Sequence, residues 1–140
     1  MKKAPPSLLF CSQLKEMLLA EHSAVLAFRS GWADSCHFDM LLECLMMMQF
    51  AANDPVKDAP DTNALNVCQF ASSALLNIRD RYDDKKKLGA TGDELRALDL
   101  LVETSADFWP RQSASIYFRA YDKTGDWKRS AHAEANREAA

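Results

Sequence analysis

Cys36 stands next to His37, and a thiol beside an imidazole is the pairing a nucleophilic enzyme uses, the ring taking the proton so that the thiolate attacks. Neighbours at a helix start point apart unless the fold aims them, so the sequence favours a solvent-facing loop pair. An enzyme built on Cys36 and His37 is the least favoured reading. The same two residues with Cys44 form the nearest approach to a metal set, but their spacing fits no zinc module and neither C-x-x-C nor H-E-x-x-H occurs. No metal and no other cofactor is expected. His22 and His132 have no carboxylate at a helical offset to orient them, and glycines 31, 89, 92 and 125 are scattered singly, which excludes a glycine-rich phosphate loop.

Charge offers two further candidates. Lys85, Lys86 and Lys87, preceded by Arg79 and Arg81, are the basic cluster a small DNA-binding regulator would use. Asp80, Asp83 and Asp84 interleave with it and cancel most of its field, so direct nucleic-acid binding is disfavoured and a solvated loop is expected. Asp99, Glu103 and Asp107 lie one helical turn apart on the side opposite Leu95, Leu98 and Val102. Like charges at that spacing do not help a helix fold. The row reads either as a solvated face or as an acidic strip meeting a basic partner, where complementary charge speeds encounter and sets register. Tyr117, Phe118, Tyr121 and Trp127 cannot share one face of one helix, and the core is already well supplied, so some should be exposed. Tyr117, Tyr121 and Trp127 are the expected anchors of a protein contact or a homodimer.

The elements that must hold these residues are helical. In Phe38 to Ala52, twelve of fifteen residues are apolar, which makes this segment the central helix of a bundle, since a helix apolar nearly all round is a buried one. It is too short to cross a bilayer, which takes about 20 predominantly apolar residues. A first helix is expected from Ser7 or Ser12 to Arg29, its stripe formed by Leu14, Met17, Leu18, Val25 and Phe28, with Gly31 as the stop. Asp34 or Ser35 caps the second helix, which ends at Asn53 ahead of Pro55. The third runs from Asp61 or Thr62 to Tyr82, with Leu65, Cys68, Phe70, Leu75 and Ile78 within a broad buried surface. After a loop from Asp83 to Gly92, Thr91 and Glu94 make a capping box for the fourth helix. Pro110 predicts a kink or break, because an interior proline removes a hydrogen bond and clashes with the preceding turn at about 3 kcal/mol or more. A last helix is expected over 111 to 121, and 122 to 140 reads as a tail, helical or loose.

With 140 residues and a net charge of −3, the chain suits a single all-α domain of four to five helices and excludes a strongly basic polyanion binder. Period-two alternation and internal repeats are both missing. Cys44 and Cys68 sit on apolar runs as reduced core thiols do, and the N-terminal apolar run is cut by Gln13, Lys15 and Glu16 before a signal core forms. A cytoplasmic protein without a membrane anchor is expected.

The segment Ala74 to Arg81 (ALLNIRDR), followed by Gly92 to Leu98 (GDELRAL), together with Phe28 to Gly31 (FRSG), resembles a pattern in short, mostly uncharacterised proteins of bacterial phages and plasmids. The likeness spans residues 25 to 120 and departs at Pro110 and in the C-terminal tail. It implies a mobile-element origin and carries no catalytic residues. Small acidic helical proteins of that setting include anti-CRISPR proteins, which this chain is similar to in size and in its lack of enzymatic motifs. The reading that follows is a non-catalytic inhibitor that binds a host protein or nucleoprotein complex through Asp99, Glu103, Asp107, Tyr117, Tyr121 and Trp127. The alternative is a DNA-binding regulator using Arg79, Arg81 and the three lysines.

Overall fold

The computed structural model describes residues 8 to 139, with side chains from 12 to 138, and builds them into five α-helices with no strand among them. Helix α1 (Leu8–Ser30) is already formed at Leu8, which excludes Ser12 as its start, while Ser7 lies outside the described residues. Gly31 ends it at φ +81°, a conformation that carries no Cβ penalty in glycine. The Gly31 N–H reaches the Phe28 carbonyl at 3.3 Å and the Trp32 N–H reaches Ala27 at 3.0 Å, the paired bonds of a Schellman stop. Helix α2 (Ser35–Ala52) begins under Asp34, whose carboxylate accepts the N–H groups of Cys36 and His37.

Helix α3 (Thr62–Lys85) is capped by Asp61 and runs beyond Tyr82, so Asp83, Asp84 and Lys85 are helical rather than part of a loop. Their side chains are exposed and make no demand on packing. The stop is Lys86, a left-handed residue at φ 55° whose N–H donates to the Tyr82 carbonyl at 2.7 Å. Helix α4 (Gly92–Phe108) starts in the Thr91–Glu94 capping box, each residue's side chain accepting the other's backbone N–H. It gives way at Pro110 to a 3-10 turn over Trp109–Arg111. Helix α5 spans Ala114–Ala139, so the last helix begins later than 111 and continues through the segment read as a tail.

Cross-helix bonds set the directions. Glu21 meets both Cys44 and Ser105, Cys68 meets the Leu45 carbonyl, and Arg81 meets Glu94, which places α1 to α4 alternately up and down. Each neighbours the next, and α4 closes the square against α1. Helix α5 lies antiparallel on α2, held by Asp54–Arg119 at one end and Glu43–Lys128 at the other. The second helix therefore touches all four others, and Leu41, Met48 and Ala51 are fully enclosed. Its apolar circumference has a physical reason: three helices share one side of it and α5 packs on another, leaving Met40 and Gln49 exposed. No helix among the described residues is long and apolar enough to cross a membrane.

Candidate functional site

Helix α4 presents the acidic row as expected, but two of its three members have cationic neighbours. Asp99 pairs with Arg29 of α1, and Asp107 pairs with Arg111 one turn on, at 3.1 Å. Glu103 is exposed and forms no ion pair among the described residues. The strip is thus three carboxylates answered by two guanidinium groups. Asp99 and Glu103, with the ion-paired Asp93 and Arg96, also border a groove of about 580 Å³ between α3 and α4, walled by Phe70 and Leu100. Phe70 is 57% exposed and Leu100 41%, so Phe70 is a surface residue rather than part of the buried face of α3. The turn of α3 that carries it points Val67, Ala71 and Ala74 inward instead.

The aromatic anchors lie elsewhere. Tyr117 is buried and packs edge-on against Trp109 at 5.3 Å, closing the end of the bundle, whereas Tyr121 is 56% exposed and Trp127 half-buried. Both tyrosines line a cavity with α1 and α2 that contains none of Asp99, Glu103 and Asp107. The acidic row and the tyrosines do not share a cavity.

The basic cluster is divided as well. Arg81 turns inward, donating to Glu94 Oε2 at 2.8 Å and to the Gly89 carbonyl at 2.9 Å, and its hydrogen bonding holds the Glu94 carboxyl below the usual range. It is a clasp for the loop between α3 and α4 and is not free to meet phosphate. Arg79, Lys86 and Lys87 instead border a groove of about 550 Å³ beside the start of α2, together with Phe38, Tyr82 and Leu88. Lys85 lines a different groove with Arg81.

The structure engages His37 elsewhere than with Cys36. His37 Nδ1 accepts the Asp34 backbone N–H at 3.0 Å, completing a capping box, and its ring packs edge-on to Trp32. Cys36 Sγ has no hydrogen bond to that ring among the described residues, and no group of His, Cys, Asp and Glu there is arranged to hold a metal.

One chemically loaded residue escaped the sequence reading. Glu21 of α1 is 1% exposed, and its Oε1 accepts from Ser105 Oγ at 2.7 Å and from Cys44 Sγ at 3.1 Å. Burial raises its pKa above the usual carboxylate range, against the lowering effect of those two donors. The Cys44 thiol is pushed well up by burial and by Glu21, which keeps it a proton donor, and burial lifts Cys68 to about 12. The signal was present: Glu21 occupies the stripe position four after Met17 and four before Val25.

No family description, curated protein or solved structure matches this chain.

Proposed function

We propose that this chain is a non-catalytic protein-binding protein that offers the outer α3–α4 face to a basic partner. The observation that supports it is the pair Phe70 and Leu100, two large apolar side chains left in water on either wall of a groove bordered by Asp99 and Glu103. Exposed apolar clusters with a polar rim are the usual form of protein contact sites. Exposed ion pairs contribute only about 0 to 1 kcal/mol, so a partner's lysines and arginines displace Arg29 and Arg111 at small cost. Tyr121 and Trp127 on α5 then provide a second contact. In the setting implied by the phage and plasmid resemblance, the partner is a host defence nucleoprotein complex, inhibited in the manner of an anti-CRISPR protein by occlusion of its basic groove or of a subunit contact.

The test is retention of proteins from a bacterial host lysate by tagged wild-type chain and by the double variant Phe70→Ser, Leu100→Ser, with identification by mass. The wild type retains a basic protein or nucleoprotein that the variant loses. Equal retention by both removes this face from the account, and recovery of the chain alone as a dimer assigns the face to self-association.

A second reading, the DNA-binding regulator, is favoured by the meeting of Arg79, Lys86 and Lys87 with Tyr82 in one groove. Duplex affinity that falls steeply with salt supports it.

A further inference from the structure

The end of α3 and the start of α2 border one groove of about 550 Å³. Arg79, Tyr82, Lys86 and Lys87 line it from the α3 side, Asp34 and Phe38 from the α2 side. The three cations form no ion pair among the described residues, and none of Asp80, Asp83 and Asp84 lines the groove. The left-handed turn at Lys86 brings Lys87 and Leu88 back onto the groove that Arg79 borders. Lys86 Nζ stands 6.0 Å from the centre of the Tyr82 ring. Tyr82 is 43% exposed and Phe38 half-buried, so aromatic surface lies open beside the charges.

The lining selects among ligands. Cations without an internal partner favour an anion, and a phosphate group has enough acceptor oxygens to meet all three. A bare inorganic anion would leave Tyr82, Phe38 and Leu88 uncovered. Asp34, whose carboxylate accepts the N–H groups of Cys36 and His37, repels a second anionic group on the α2 side and suits a ligand that carries hydroxyl or amino donors there. Shape narrows the choice further. A duplex is read by a convex helix or ribbon that enters its major groove, whereas a concave site with an open ring receives a single unstacked base. The volume falls within the span of small-ligand sites, about 300 to 1,000 Å³.

We infer that this groove binds one nucleotide unit, its phosphate on Arg79, Lys86 and Lys87 and its base against Tyr82 and Phe38. The inference rests on the second reading, whose cations it uses, and replaces the duplex by a free nucleotide or a single strand as the source of that unit.

The probe is adenosine monophosphate, titrated into the full chain and followed by backbone amide NMR, with adenosine and inorganic phosphate as the two half-ligands. Saturable shifts at Ala33, Phe38, Arg79, Tyr82 and Lys87 are expected, with an affinity above that of either half. Tyr82→Ala weakens the nucleotide about ten-fold and leaves inorganic phosphate unchanged, because only the base stacks. Lys87→Gln and Lys86→Asn weaken both and flatten the salt dependence, asparagine being chosen because it tolerates the left-handed backbone. Should Tyr82→Ala lose the native spectrum, Lys87→Gln carries the test. A short oligoadenylate that displaces the mononucleotide supports a strand as the source, and one that does not supports a free nucleotide. Equal affinity for phosphate and nucleotide, displacement by an acidic peptide as effective as by the oligoadenylate, or nucleotide binding undiminished in natively folded variants overturns the inference. Duplex binding without any saturable mononucleotide shift overturns it while sustaining the second reading; mononucleotide binding without duplex binding does the reverse.

Discussion

Ser105 Oγ donates a 2.7 Å hydrogen bond to Glu21 Oε1, tying α1 to α4 across 84 residues of sequence in a fully buried position. Cys44 donates to the same oxygen from α2, so three helices meet at one carboxyl group. That junction gives the bundle a polar centre, and its chemistry makes the stability depend on pH.

Because burial raises the folded-state pKa of Glu21, the folded chain keeps this proton in a window where the unfolded chain has lost it. The contribution is fully present below the unfolded carboxylate pKa and is lost as pH rises through the folded value. Glu21→Gln removes the dependence. Urea unfolding from mildly acidic to mildly alkaline pH should show the variant gaining on wild type as pH rises, and a constant difference would contradict the burial account.

Ser105→Ala takes away one of the two donors that hold Glu21 and leaves more of a buried carboxyl unsatisfied. A loss of about 1 to 3 kcal/mol is expected in denaturant unfolding at neutral pH. The change should be nearly silent in a Glu21→Leu background, since the hydroxyl's partner is then gone; full additivity of the two changes would show that the bond contributes little.

Glu94 has the opposite sign. The Arg81 hydrogen bond lowers its folded pKa, so its contribution is present above the unfolded value and disappears as pH falls through the folded one. Arg81 is 35% exposed, which screens the pair, and Arg81→Ala should cost about 1 to 2 kcal/mol at neutral pH and less in acid. A cost that does not diminish on acidification would assign the effect to packing of the arginine stem.

Surface residues should separate binding from folding. Phe70→Ser and Leu100→Ser leave melting within a few degrees of wild type, because both side chains lie on the surface, outside the buried core. A large drop in melting temperature would mean that the groove belongs to the core.

The hub helix was legible because apolar density overrides every finer signal: a segment with so few polar positions has one place to go in a folded chain. Asp34, Thr91 and Glu94 were legible because caps are local chemistry. The register of exposed ends was not. Asp83 to Lys85 looked like loop because charge says nothing about backbone when a side chain is solvated, and Lys86 stops α3 in a conformation usually left to glycine. The C-terminal segment continued as helix through Gly125 even though glycine costs about 1 kcal/mol there relative to alanine. For the candidate sites, side-chain commitments decided the outcome. Arg81 looked like its basic neighbours in sequence, yet only the fold brings Glu94 and the Gly89 carbonyl to it. Glu21 could have been found from its stripe position, but its partners on α2 and α4 could not.

The most direct test of the protein-binding reading is site-specific photo-cross-linking in a host lysate, with the reactive side chain placed in turn at Leu100, at Tyr121 and at Lys86. The account expects a basic protein or nucleoprotein subunit captured from position 100, its yield abolished by Phe70→Ser and reduced by Glu103→Lys. Capture of nucleic acid from position 86, with nothing from position 100, would contradict it.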